Sequence, residues 1–188
     1  EVQRSLRVLD GAICVFCGVA GVQPQSETVW RQARQYGVPC LAFINKMDRK
    51  GADFEAAVRS LRERLGATPA VLQLPWGAEE GFRGVLDLVR RRALEFDESS
   101  LGARLIESPI PPDCAAAVEE ARARLCEAVA EADEATLGAY LENPELAPAV
   151  LLAGLRRATI AGRLLPVLCG SALRNRGVQP LLDAVVDL

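Results

Sequence analysis

Apolar positions in the first third of the chain follow two alternating rhythms. Val2, Leu6 and Leu9 recur at helical spacing and predict a short amphipathic helix. Ala12–Cys17 is a continuous apolar run, the pattern of a strand covered on both faces. Gly18 and Gly21 mark a loop. Pro24 suits the first turn of a helix with Val29, Ala33 and Tyr36 on its apolar side, and Gly37 closes it. Cys40–Ile44 predicts a second buried strand. Asp53 is placed to cap a third helix, with Phe54, Val58, Leu61 and Leu65 along one side and Gly66 as its stop. Helix–strand–helix–strand–helix in this order predicts an α/β fold, an open and mostly parallel sheet with helices on both faces.

After Pro69 the rhythm changes. Ala70–Pro75 predicts a strand, and Gly77–Gly81 a turn-rich link. Val85–Val89 and Ala93–Phe96 predict two short strands with Arg90, Arg91 and Arg92 between them. Ser99–Pro112 reads as irregular. Three helical patterns follow. The first is capped by Asp113 and carries Cys114, Val118, Ala121, Leu125 and Val129. The second spans Thr136–Leu141, and the third runs from Pro148 through Leu151, Leu155 and Ala158 to Gly162. Residues 69–162 are therefore expected to form an inserted α+β subdomain with its own small core. Residues 1–68 and 163–188 are expected to make up the domain that hosts it. Leu164–Cys169 restores the strand rhythm, Gly170-Ser171-Ala172 ends it, and Pro180 is placed to start a last helix through Leu181, Leu182, Val185 and Val186. The abrupt ends at Glu1 and Leu188 read as cuts within a larger protein.

Composition narrows the chemistry. Half of the 188 residues are hydrophobic and 25% are charged, which is globular composition. No apolar run is long enough to predict a membrane span. The chain has no histidine, which excludes histidine-based acid–base catalysis, Ser-His-Asp and Cys-His nucleophile systems, and zinc sites that need histidine. Net charge is -3, unevenly spread, with the acidic excess in the second half. That half is a poor nucleic-acid surface. It could face a basic partner, or be a solvated helical face. Cys14 and Cys17 resemble a Cys-x-x-Cys pair, but residues three apart on a strand point to opposite faces. All six cysteines read as small buried hydrophobes, in keeping with a reducing compartment.

In open parallel sheets, ligands bind at the carboxyl ends of strands. Two such ends carry polar groups, Asn45-Lys46-Met47-Asp48 and Gly170-Ser171-Ala172. Guanine presents an N1–H and a 2-amino group side by side, and one carboxylate can accept from both. Asp48 is the candidate for that paired, charge-assisted contact. The aliphatic stem of Lys46 can lie over the flat base. Asn45 can tie the loops together or approach the base edge, and Met47 is expected to turn inward. The Ala172 N–H, expected to be free at its strand end, could donate to guanine O6, with the Ser171 side chain bracing the turn. Alone, the four-residue string is also what a solvated turn looks like. Its place after a buried strand, and the second polar strand end, favour base recognition. The chain has two lysines, Lys46 and Lys50. Neither ends a Gly-x-x-x-x-Gly-Lys-Ser/Thr run, so base recognition without phosphoryl transfer is expected of these residues.

At these residues the sequence resembles the bacterial elongation factor G family. The likeness is dense in Glu1–Gly11, Gly21–Ala33 and Phe43–Arg49. It continues in Glu63–Thr68, Gly84–Leu88, Pro166–Ala172 and Asn175–Val186. The resemblance implies a partial P-loop GTPase-type sheet, with 69–162 as the extra subdomain inserted in that domain. It implies GTP and GDP as ligands, held at the base by Asn45, Lys46, Asp48, Ser171 and Ala172, which match the family's guanine motifs. Mg2+, the phosphate loop and the catalytic residues are implied only for the full-length protein, before Glu1, so no catalytic or metal residue is assigned here. The family drives ribosomal translocation in the cytoplasm. The implied partner is the ribosome, with the stalk protein meeting 113–161. Contacts to tRNA and mRNA are expected from other domains, and no membrane is implied. Related readings are a recycling, tetracycline-protection or class-3 release-factor paralogue, or a stalk-binding module with no nucleotide role.

Overall fold

The computed structural model describes every residue except Glu1, Glu98, Ser99, Leu101 and Ala103. It is a mixed α/β structure with two four-stranded sheets. The first half contains α1 (Val2–Leu6), β1 (Ala12–Cys17), α2 (Pro24–Gln35), β2 (Cys40–Asn45) and α3 (Phe54–Leu65). Then come β3 (Pro69–Val71), β4 (Gln73–Trp76), β5 (Gly84–Asp87), β6 (Arg92–Phe96) and β7 (Leu105–Pro109). The remainder is α4 (Ala115–Ala132), α5 (Glu134–Glu142), α6 (Pro148–Ile160), β8 (Leu165–Cys169) and α7 (Val178–Asp187). One sheet has the order β1-β2-β8-β3 and is parallel throughout. The other runs β4-β5-β6-β7 and is antiparallel.

Local chemistry explains several element ends. Asp53 accepts a hydrogen bond from Ala56 N at 2.9 Å and starts α3. Gly66 adopts the left-handed conformation that stops it, with φ 61°. Pro24 and Pro148 occupy first-turn positions of α2 and α6. Two expected starts are displaced. Cys114 rather than Asp113 sits at the N-cap of α4, and no side-chain cap forms there. The last helix begins at Val178, because the left-handed Gly177 places Pro180 inside the first turn.

The expected single strand Ala70–Pro75 is two strands in different sheets. Leu72 is the exchange point: its N–H donates to Val167 O of β8, and its carbonyl accepts from Leu88 N beyond β5. The irregular stretch expected over Ser99–Pro112 falls partly outside the described residues. Within it, Leu105–Pro109 is a strand paired with β6. Its exposed outer position leaves it polar enough to hide from hydrophobic periodicity.

Helices α4 and α6 do not enclose a separate core. Val118, Leu125, Leu151 and Leu155 join Leu41, Phe43, Leu168 and Leu181 in one cluster on one side of the parallel sheet. The cluster on the other side combines α2 and α3 residues with Phe82, Val85, Leu94 and Phe96. Strand β1 also departs from expectation. It is the sheet edge, and Ile13 and Val15 are 40% and 57% exposed, so only its Phe16 side is covered. On α2 the buried side holds Trp30 and Ala33, with Val29 exposed. The Trp30 indole N–H donates to Leu65 O at 3.1 Å, satisfying the polar atom it buries.

The six cysteines are free thiols. Cys40, Cys126 and Cys169 are buried, whereas Cys14, Cys17 and Cys114 are partly exposed, which corrects the reading of all six as buried. No described helix is long and apolar enough to cross a membrane.

Candidate functional site

The parallel register sets β1, β2 and β8 side by side, so Cys17, Asn45 and Cys169 end their strands at the same edge of the sheet. The two polar loops leave the neighbouring strands β2 and β8. They are laced by backbone: Gly170 N donates to Ile44 O at 3.0 Å, and Met47 N donates to Gly170 O at 3.1 Å. The β1 loop joins them, since Gly18 N donates to Asn45 O at 2.7 Å and Gly18 O accepts from Asp53 N at 2.9 Å. A Cβ on Gly170 would lie 2.2 Å from Arg176 O and 2.7 Å from Phe43 Cζ, so only glycine permits this approach.

Asn45 is the side chain that fixes both loops. Its Oδ1 accepts from Lys46 N at 2.8 Å and from Ala172 N at 2.9 Å. The first of these bonds supports an unusual backbone, because Lys46 has φ 67°, a region that L-residues seldom occupy. Met47 then points into the core, 2% exposed, while Lys46 stands in solvent. Of the two roles open to Asn45, the structure displays the loop tie. The Ala172 N–H is consequently engaged rather than free, which corrects the expectation for that donor.

Ser171 is buried, but its side chain does not brace the turn. Its Oγ has no hydrogen-bond partner. The turn is held by backbone instead, through Ser171 N to Arg176 O and both Arg174 N and Arg176 N to Ser171 O. The Arg176 guanidinium reaches down to Phe82 O, so this turn is anchored to the segment between β4 and β5.

Asp48 lies at the rim, with its side chain 11% exposed, and Arg174 Nε sits 3.1 Å from its Oδ2. Arg174 escaped the sequence reading. The signal available was its place three residues after Ser171, where a short turn over Ala172–Arg174 returns the side chain toward the first loop. Glu79 was also missed. Its Oε1 accepts from Gly51 N at 2.7 Å and ties the segment after Asp48 to the turn that follows β4.

The structure thus brings Asn45, Lys46, Asp48, Ser171 and Ala172 together on two adjoining loops. The groups gathered here are a carboxylate paired with Arg174, a backbone N–H held by Asn45 and a solvent-exposed lysine, a set that could meet a flat heterocycle with adjacent N–H groups once those partners are exchanged. Among the described residues no group of three acidic, cysteine or histidine side chains is arranged to hold a metal ion.

Comparison with known proteins agrees with this architecture. A crystal structure of a protein from Thermus thermophilus superposes with a TM-score of 0.87 at 30% sequence identity, and the match covers 100% of this chain. This chain spans 27% of the length of that protein. The family profile described as the elongation factor Tu GTP binding domain matches residues 1–188. On that full-length match, the chain belongs to the elongation factor Tu GTP-binding-domain family of translation-factor GTPases.

Proposed function

We propose that this chain supplies guanine recognition to a ribosomal translocation GTPase of the elongation factor G type. The observation that carries the reading is the junction of two strand-end loops, in which Ala172 N donates to Asn45 Oδ1 and Arg174 Nε meets Asp48 Oδ2. In this reading Asp48 accepts from N1–H and the 2-amino group. Lys46 covers one face of the base, the Ser171 backbone holds its own turn, and Ala172 N–H turns from Asn45 to O6. Base entry exchanges two contacts that already exist, the Arg174 hold on Asp48 and the Asn45 hold on Ala172 N–H. The net gain from the base alone is therefore small, since each new hydrogen bond replaces an old one. Tight binding of GTP or GDP then depends on phosphate contacts and Mg2+, for which we assign no residue of this chain. The same reasoning gives these 188 residues base binding without hydrolysis.

The acidic helices within 113–161 are the proposed meeting surface for the ribosomal stalk. A second reading is a paralogue of the same domain organisation with a recycling, protection or release role, for which the base site would work alike.

The test is a titration by NMR with guanosine, adenosine and xanthosine. Guanosine is expected to perturb Asn45–Asp48 and Ser171–Arg174 with an affinity on the order of millimolar, where free energies near 4 kcal/mol belong. Adenosine should leave them unmoved. Asp48→Asn replaces an acceptor with a donor, so preference should pass to xanthosine, whose C2 oxygen can accept. Equal response to guanosine and adenosine would remove the proposal.

A further inference from the structure

The antiparallel sheet turns one end toward the two base loops. Trp76 pairs with Gly84, Gly84 with Glu95, and Phe96 with Leu105, so the β4–β5 and β6–β7 connections leave the sheet at the same end. Both meet the turn after β8. The Arg176 guanidinium, on a residue only 4% exposed, donates to Phe82 O in the first connection. In the second, Gly102 O accepts from Gln179 Nε2 at 2.9 Å. A Cβ on Gly102 would lie 2.7 Å from both Arg174 O and Asn175 O, so backbone packs on backbone there.

The first connection also holds the other loop. Glu79 Oε1 accepts from Gly51 N at 2.7 Å. Two overlapping turns carry Gly51 back to the base motif: Arg49 N donates to Lys46 O at 3.1 Å, and Ala52 N donates to Arg49 O at 3.0 Å. The segment Glu79–Phe82 thus grips the loop after β2 at one end and the loop after β8 at the other.

The grip is stiff. Gly81 N donates to Ala78 O at 2.9 Å, Phe82 N to Glu79 O at 3.0 Å and Arg83 N to Trp76 O at 3.0 Å, so the connection is closed by its own backbone. Phe82 is buried in the cluster shared with α2 and α3. Glu79 has φ 52°, a left-handed conformation that is strained for a glutamate. The strained residue is the one whose carboxylate reaches Gly51.

These contacts differ in kind from those between the loops themselves. Base entry displaces the Arg174–Asp48 and Asn45–Ala172 contacts. Neither Glu79–Gly51 nor Arg176–Phe82 uses an atom that the base takes up, so both persist through that exchange. A carboxylate on one loop and a backbone N–H on the other meet different atoms of one flat base only when their separation is held to about 0.5 Å.

We propose, on the reading that these loops bind guanine, that Glu79 and Arg176 are positioning residues for the base. Through them the β4–β5 connection sets the spacing between Asp48 and Ala172, and with it guanine affinity, without touching the ligand.

The experiment titrates guanosine 5′-monophosphate into the full chain, with adenosine 5′-monophosphate as the reference, and measures urea unfolding of every variant. Glu79→Ala removes the acceptor for Gly51 N. It should weaken guanosine monophosphate about twofold to tenfold, as the loss of one hydrogen bond implies, with the urea midpoint nearly unchanged. Glu79→Gln keeps an acceptor oxygen and should restore most of the parental affinity. Glu80→Ala takes the same charge from the same turn and should bind as the parent does. In ligand-free Glu79→Ala, amide shifts should reach Lys46, Asp48 and Ala172, beyond the Gly51 contact. Arg176→Lys keeps the buried charge but loses the guanidinium fork, and should weaken guanosine monophosphate in the same direction. Should that variant fail to fold, the Glu79 series decides alone. Parental affinity in Glu79→Ala, or an equal loss in Glu79→Gln or Glu80→Ala, would overturn the proposal and leave the base site standing. A parent that binds both monophosphates alike would remove the base reading itself, and the proposal with it.

Discussion

Arg174 Nε and Asp48 Oδ2 stand 3.1 Å apart and join the loop after β8 to the loop after β2. The pair straddles the surface, with the arginine side chain 42% exposed and the aspartate 11%. Such pairs contribute about 0.2–1 kcal/mol. Arg174→Ala should therefore leave thermal stability nearly unchanged and free the carboxylate for another partner. Guanosine affinity should rise by up to about fivefold, as an ion pair of that size implies. A titration of the variant beside the parent checks it, and a fall in affinity would make Arg174 a base contact instead of a competitor.

Gly170 predicts the opposite kind of effect. Gly170→Ala puts a methyl against Arg176 O and the Phe43 ring, with no flexible chain end to yield. Overpacking of this sort costs about 1–3 kcal/mol. The Ser171–Arg176 turn should shift while the rest of the fold persists. Urea denaturation would read the loss, and amide shifts confined to 44–48 and 169–177 would locate it.

Much of this architecture was legible because it is local. Asp53, Gly66, Pro24 and Gly162 act on their own helices, and their roles follow from residue type and position. The candidate base site was legible for the same reason, as both loops follow apolar strands directly. What was hidden depends on residues distant in sequence. Nothing near Leu72 announces that its two backbone groups serve different sheets. Ala12–Cys17 reads as doubly covered, yet cover on the Ile13 side requires a neighbour that sequence periodicity cannot specify. Arg174 was missed because its partner lies on another strand's loop, and the Ala172 N–H was expected free because the reach of Asn45 across two strands is not encoded locally.

Arg122 belongs to the hidden class as well. It sits on the apolar side of α4, only 3% exposed, among residues that read as a plain hydrophobic stripe. Its guanidinium donates to Leu88 O at 2.5 Å, Val89 O at 2.8 Å and Leu146 O at 2.6 Å. Arg122→Met keeps much of the volume and strands those carbonyls. Each buried polar group left unpaired costs about 1–3 kcal/mol. The variant should lose several kcal/mol in urea or guanidinium unfolding, with protection from hydrogen exchange failing first around 88–91 and 143–147.

Acid should weaken the packing of α5 against α6 through Asp133. Its carboxylate accepts from Arg157 Nε at 2.9 Å, from Thr136 N at 3.0 Å and from Thr136 Oγ1 at 2.7 Å. The Arg157 guanidinium is the main cause that holds this carboxyl below the usual range. The Thr136 bonds add to it, while burial opposes. A carboxyl depressed in the folded state stabilises fully above its unfolded pKa of about 3.9, and that stability drains as pH falls toward the folded value. Unfolding midpoints measured at pH 7 and pH 3 should differ more for the parent than for Asp133→Asn. At neutral pH the Asp133→Ala variant should lose at least about 1 kcal/mol with the missing helix cap.

Leu72 leaves no slack between the two sheets. A linker would absorb displacement of the antiparallel sheet, but here the chain passes from β3 to β4 through one residue whose N–H is bonded to Val167 and whose carbonyl is bonded to Leu88. A load on α4 or α6 reaches β8 directly, through the cluster that Leu125, Leu151 and Leu155 share with Leu168, and Cys169 passes it to Gly170, the foot of the Ser171–Ala172 loop. The acidic helices and the strand that carries that loop share one packed cluster, so neither shifts without repacking the other.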